Sequence, residues 1–272
     1  MKPLLKLLPA IRRTRGNRLY TKDGRRYLDL WLDDGHKLLS GKEAKTRTRT
    51  ANAMDKGLEL PYPGMYERRL KKELCRAWPG YPAVKIFSYT GDAILAAASI
   101  LQQAAEAPYD TAFTKEGHSA GRFFLARPFV SLSGNAELIM PRIPCPAMWA
   151  PACLMAKEGS QAEKALAKMD DSLIAPLCHI AGARALASVP GLVNVPYTEK
   201  EWEAFAKPIN KWFYRNGPYL LPKAKGEAYE ALFIAAMEGG VLIAPRPDAP
   251  SVIPLEWDKG ELAKLVSALK KL

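Results

Sequence analysis

The apolar run Val84-Lys85-Ile86-Phe87 leads through Thr90-Gly91-Asp92 into an alanine-rich stretch, 93–105. These residue types read as a short strand, a turn and a helix in immediate succession. Such a unit is the entry to a mostly parallel α/β sheet, because a parallel neighbour can be reached only through a crossover segment. Two further apolar runs, 123–132 and 147–156, are strand candidates for that sheet. The stretch 141–151 is dense in proline, which lacks a backbone donor, so it must contain irregular backbone.

The flanking segments carry their own signals. Around Lys22-Asp23-Gly24, residues 18–30 read as a β-hairpin, since Asp-Gly supplies the left-handed backbone of a tight turn. The pattern predicts helices over 43–58, 66–77, 161–169, 177–189 and 227–237; Tyr66, Leu70 and Leu74 form an apolar stripe in the second. Thr198 and Glu201 have the spacing of a capping box. Strands are expected at 217–221 and 240–244, and Asp258 is expected to cap a last helix running to about Lys271. Trp202, Phe205, Trp212, Phe213 and Tyr214 are expected to serve packing, and Met148-Trp149 to serve a buried interface.

Of the 272 residues, 48% are hydrophobic and 25% charged, the balance of a globular chain and not of a disordered one. No apolar run is long enough to suggest a membrane span. Lys6, Arg12 and Arg13 interrupt the apolar start, which reads as a short amphipathic helix and not as a signal peptide. Cys75, Cys145, Cys153 and Cys178 form no C-x-x-C pair and read as buried thiols of a reducing compartment, which points to the cytoplasm. Three histidines, His36, His118 and His179, do not suggest a metal site. The net charge of +12 raises nucleic acid or an acidic partner as a possible ligand, but the basic residues are dispersed and no nucleic-acid motif accompanies them.

Gly16-x-x-Leu19-Tyr20-x-x-Asp23-Gly24-x-x-Tyr27-Leu28-Asp29 resembles the opening of class III aminotransferases, pyridoxal-phosphate (PLP) enzymes of fold type I, and among them the glutamate-1-semialdehyde aminomutases. Gly35-His36-Lys37-Leu38-Leu39-Ser40-Gly41-Lys42 is similar to the family's Gly-x-x-x-x-Gly-His, with Lys42 in place of the histidine. Phe87-Ser88-Tyr89-Thr90-Gly91-Asp92-Ala93 resembles its Phe-x-Asn-Ser-Gly-Ser/Thr-Glu-Ala, and 229–245 resembles its C-terminal domain. The match covers roughly 16–105 and 172–270; the part between is much shorter than in the family.

The resemblance implies a lysine that forms a Schiff base with PLP and an acid beside its pyridine nitrogen, both from the middle of the chain. Here no lysine lies between Lys115 and Lys157, and no aspartate between Asp110 and Asp170. Arg142 cannot replace the lysine, because a guanidinium stays protonated. Lys157 is the nearest candidate, and Glu137 is the sole acid between Glu116 and Glu158. Gly117-His118 faintly resembles the family's Tyr-His-Gly, without the tyrosine. Thr90 and Gly91 keep parts of the family's phosphate turn, but Asp92 stands where a hydroxyl is expected. A carboxylate ~4 Å from a phosphate charge costs about 4 kcal/mol at an effective dielectric near 20. Thr90, Gly91 and Asp92 are therefore expected to be the vestige of a cofactor site.

The expected architecture is α/β: a reduced, mostly parallel PLP-transferase-like sheet over 1–190 and a C-terminal α+β lobe over 191–272. The leading functional reading is a catalytically degenerate homologue without catalytic residues, cofactor or metal, in a binding or regulatory role; the resemblance implies a homodimer. Two alternatives stay open: an active PLP-dependent aminotransferase or aminomutase with a rearranged site, and a basic scaffold binding nucleic acid or an acidic partner.

Overall fold

The computed structural model of the protein describes residues 3–40, 44–113, 121–132, 134–192 and 197–272. In chain order the strands are β1 (Ile11–Arg15), β2 (Arg18–Thr21), β3 (Arg26–Asp29), β4 (Ala83–Phe87), β5 (Tyr109–Asp110), β6 (Phe123–Ala126), β7 (Leu138–Pro141), β8 (Ala152–Ala156), β9 (Phe213–Asn216), β10 (Tyr219–Pro222), β11 (Val241–Leu242) and β12 (Ser251–Val252). The helices are α1 (Ala44–Met54), α2 (Glu67–Ala77), α3 (Thr90–Leu101), α4 (Gln161–Ala167), α5 (Pro176–Ser188), α6 (Glu199–Ala206), α7 (Gly226–Glu238) and α8 (Lys259–Leu269).

The chain forms two compact units, 43–190 and 1–42 joined with 191–272. The division at 190/191 coincides with the expected boundary, while 1–42 groups with 191–272. The N-terminal hairpin β2–β3 continues the antiparallel sheet begun by β1, and β3 then pairs in parallel with β11. Backbone bonds to Gly240 and Leu242 therefore hold Leu28 and Leu30 to the C-terminal segment. Arg18 adds a two-pronged ion pair to Glu261 on α8, at 2.7 and 2.9 Å. Glu261 also completes a capping box with Asp258, so one carboxylate serves the helix end and the hairpin together. A separate three-stranded sheet of β12, β10 and β9 completes this unit.

The 43–190 unit is built on a five-stranded sheet in the order β4-β8-β7-β6-β5. β6 (Phe123-Phe124-Leu125-Ala126) and β7 (Leu138-Ile139-Met140-Pro141) are buried throughout, the mark of strands covered on both faces. On one face Phe87, Phe123, Leu125, Leu138 and Leu154 pack with Ala93, Ala96 and Ala97 of α3 and with Ala162 and Leu166 of α4. The small alanines recur at helical spacing, which explains how an alanine-rich helix lies close against a sheet. α1 and α2 both pack on α5. At Gly182 an added Cβ would come within 3.0 Å of Leu70 on α2 and 3.4 Å of Pro151, so glycine permits that close crossing.

Several local expectations are altered. The run 123–132 stops being a strand at Ala126: Pro128 offers no backbone donor, and Phe129 has φ 65°. In 147–156 only the last five residues are extended, after a short 3-10 turn at Ala147–Trp149. β7 lies in a stretch whose pattern marked no strand, as does β1, and the apolar start is a 3-10 turn at Leu4–Leu7. Thr198 sits at the N-cap of α6 without a side-chain bond to the helix, whose Glu199 and Glu203 are instead held by Arg215. Beyond β3, Leu32, Asp33, Asp34 and Gly35 all have φ between 47° and 83°, a left-handed turn whose entry is stapled by Asp29 accepting from the N–H groups of Trp31 and Leu32. Among the described residues no helix is long and apolar enough to cross a membrane.

Glu261 is 7% exposed, so removing Arg18 leaves a nearly buried carboxylate with only the longer 3.4 Å pair to Arg26 and the Asp258 N–H. Arg18→Ala is expected to lower unfolding free energy by about 3 kcal/mol, read from urea denaturation, whereas exposed Arg12→Ala leaves it nearly unchanged.

Candidate functional site

In the five-stranded sheet β4, β5, β6 and β7 run one way and β8 the other. Ligands of open α/β sheets gather outside the carboxyl ends of parallel strands, where loops and helix starts converge. Here that edge carries the start of α3 after β4, Asp110 at the end of β5, Arg127 after β6 and Arg142 after β7.

Thr90, Gly91 and Asp92 form the first turn of α3, and all three are exposed. The turn expected between β4 and the helix is thus already helical. Its free N–H groups could meet an anion, but the first turn also carries the Asp92 carboxylate, which complements the helix dipole in an anion's place. Next along the edge, Arg127 Nε and Nη2 donate to the two carboxylate oxygens of Asp110 at 2.7 and 2.6 Å. The Arg127 side chain is 1% exposed. Asp110 Oδ1 also accepts from the Ala112 N–H, and the Arg127 N–H donates to Thr111 Oγ1. The carboxylate nearest this edge is therefore fully engaged in holding an arginine.

Lys157 follows β8, the reversed strand, and so emerges at the amino edge. Its backbone N–H donates to Glu137 O, and its ammonium donates to Gly134 O at 2.9 Å. Ala156, one residue before it, lies opposite Ala83, the first residue of β4, while Thr90 follows the last. At about 3.3 Å per residue, the five residues of β4 separate the two edges by roughly 16 Å. Glu137 lies at the amino edge as well, forked to Arg122 at 2.5 and 2.9 Å; that guanidinium lowers its carboxyl pKa. The sequence candidates thus fall on opposite edges: Thr90, Gly91 and Asp92 on one, Lys157 and Glu137 on the other. Among the described residues following the parallel strands (88–92, 111–113, 127–132 and 142–146) there is no lysine. His118, Lys115 and Lys42 lie outside the described residues. Met148 is 80% exposed, and Trp149 packs against Leu177 and Ile180.

Two features had no sequence signal. A cavity of about 690 Å³ opens between the end of α2, the 127–132 segment and the end of α5, walled by Trp78, Phe129, Leu132 and Leu186 with Arg76 and Arg127. That volume suits a small molecule. It is assembled from three distant stretches, none of which carries a motif. The second is His179, 3% exposed on α5, with neither ring nitrogen hydrogen-bonded among the described residues. Burial pushes its pKa below the usual value, against the opposing pull of Glu67 and Asp171. Cys75, Cys145, Cys153 and Cys178 are free, and no cluster of metal-ligating side chains occurs among the described residues.

No protein-family model matches the chain. It is 26% identical to an uncharacterized protein of Treponema pallidum over 92% of this chain and 91% of that protein. It is 25% identical to another of Borreliella burgdorferi, covering 98% and 94%. Among solved structures it resembles the N-acetylornithine aminotransferase of Stenotrophomonas maltophilia with a TM-score of 0.65 at 13% identity, covering 100% of this chain and 99% of that one. It also resembles the ornithine δ-aminotransferase of Plasmodium falciparum, with a TM-score of 0.66 at 10% identity and coverage of 97% and 92%. A third likeness is to the Toxoplasma gondii ornithine aminotransferase, in a structure with partial occupancy of PLP (TM-score 0.63, 10% identity, coverage 97% and 90%). The chain therefore has the α/β fold of aminotransferases, as its motifs led us to expect.

Because His179 is held neutral, the unfolded chain takes up a proton at higher pH than the folded one. The stability this contributes is complete above about pH 6.5 and is lost as pH falls toward the lowered folded value. Urea midpoints measured between about pH 7.5 and pH 5 should fall with acidification, and the fall should shrink in His179→Leu.

Proposed function

We propose that this chain is a non-catalytic protein on an aminotransferase fold, derived from a glutamate-1-semialdehyde aminomutase-like ancestor and acting as a homodimer in a binding role. One observation carries this reading: the candidate lysine, Lys157, lies at the sheet edge opposite the start of α3. A cofactor whose phosphate met Thr90 and Gly91 could not also be reached by the Lys157 ammonium across the width of the sheet.

The other residues of the α3 edge fit PLP no better. Asp92 opposes a phosphate at the helix start, Asp110 is engaged by Arg127, and the position after β7 is an arginine, which is a poor nucleophile. The described residues do not suit the cofactor, and no reaction step is assigned to it. What remains is a scaffold with a small-molecule-sized cavity beside Arg127. An aminotransferase fold with a cavity of this size supports a role in recognition.

The test is direct. Full-length protein is incubated with PLP, reduced with borohydride, and searched by mass spectrometry for phosphopyridoxyl-lysine at stoichiometric yield. We expect no hydroxylamine-sensitive absorbance band, no stoichiometric adduct, and the same result for Lys157→Ala. A stoichiometric adduct at one lysine would overturn the reading; its loss in Lys157→Ala would identify that lysine.

A further inference from the structure

α5 (Pro176-Leu-Cys-His-Ile-Ala-Gly-Ala-Arg-Ala-Leu-Ala-Ser188) is apolar almost all round, as a buried helix must be. Its single permanently charged residue is Arg184, whose Nε is buried and has no hydrogen-bond partner among the described residues. A guanidinium in that position calls for an acceptor.

Arg184 opens into a cleft of about 130 Å³ formed by α1, α2 and α5. Three more cations line it: Arg49 on α1, Lys56 just beyond α1, and Arg69 on α2. Asn52 adds an amide, and the floor is the apolar cluster of Ala53, Leu58, Tyr66 and Ile180. The arrangement follows helical spacing: 49, 52 and 53 share one face of α1, with Lys56 just past its end, and 180, 183 and 184 share one face of α5. Several other cations of this unit have acids: Lys71 pairs with Glu67 and Asp171, Arg76 with Glu73, Arg122 with Glu137 and Arg127 with Asp110. Arg49, Lys56, Arg69 and Arg184 pair with no carboxylate among the described residues.

Four positive charges converging on one cleft repel one another unless an anion joins them. The space is that of about four water molecules at about 30 Å³ each. Guanidinium forks match phosphoryl oxygens in geometry as well as charge. We propose that this cleft is a binding site for a small phosphorylated anion of one or two phosphoryl groups, held by Arg49, Lys56, Arg69 and Arg184. The source is either an inorganic phosphate or a phosphate ester whose organic part rests on the Tyr66 floor. The site is separate from the α3 edge and stands whether or not the chain is catalytic.

Calorimetric titration and thermal shift of the full chain with pyrophosphate, inorganic phosphate and glycerol 3-phosphate, at matched ionic strength, test it. We expect saturable binding of at least one of them, with the order of affinity separating the inorganic from the ester source. Arg184→Gln and Arg69→Gln should each weaken it about tenfold or more, and the exposed Lys270→Gln should not. Without ligand, Arg184→Gln should keep or raise the melting temperature, since it relieves repulsion; a purely structural arginine would lower it. Should Arg184→Gln fail to fold, the exposed Arg49→Gln carries the same test. Three results would overturn the proposal: no saturable binding by any of the three anions; equal effects of Arg184→Gln and Lys270→Gln; or binding of a short single-stranded RNA that pyrophosphate does not displace, which would mark a nucleic-acid surface instead.

Discussion

The direction of one strand governs what the 43–190 unit can do. β8 lies between β4 and β7 and runs against both. Backbone hydrogen bonding fixes that polarity, and no side-chain adjustment can reverse it. The residue leaving β8 is therefore delivered to the edge from which β4 and β7 begin, and Lys157 is anchored there by Gly134 and Glu137. The start of α3 belongs to the other edge.

At that other edge the fold favours order over reactivity. The Arg127–Asp110 fork is almost wholly withdrawn from water, and both partners are satisfied by further hydrogen bonds. A buried pair of this kind is costly to break from either side, because the survivor is left charged and desolvated. It pins β5 to the end of β6, just where Pro128 and the left-handed Phe129 turn the chain away. By contrast, the cleft of α1, α2 and α5 is lined by Arg49, Lys56, Arg69 and Arg184, which pair with no carboxylate among the described residues. Charge is balanced where the sheet needs rigidity and left unbalanced where helices meet solvent.

Much of the architecture was legible in the sequence. The Asp23-Gly24 hairpin, the strand β4 leading into α3, α5 and α7 to within a residue or two, and the Asp258 cap of α8 all have local causes: turn chemistry, apolar period or a capping side chain. What escaped notice depends on partners distant in sequence. β7 contains Pro141 and lacks polar alternation because both of its faces are covered. Thr198 has the spacing of a cap, but Arg215 holds the acids of α6. The hairpin belongs with the C-terminal segment because β11 pairs with β3, a contact more than two hundred residues away in the chain. Of the candidate site, the helix-start role of Asp92 was readable, while the edge on which Lys157 falls was not.

The sequence by itself determined composition, the α/β order of elements and the absence of lysine and aspartate from the middle of the chain, because these are properties of residues and their near neighbours. Only the tertiary structure decided which residues share an edge, which carboxylates already hold arginines, and which cations remain without a partner. Those outcomes follow from strand polarity and helix crossing, which bring together groups whose separation along the chain says nothing about their distance in space.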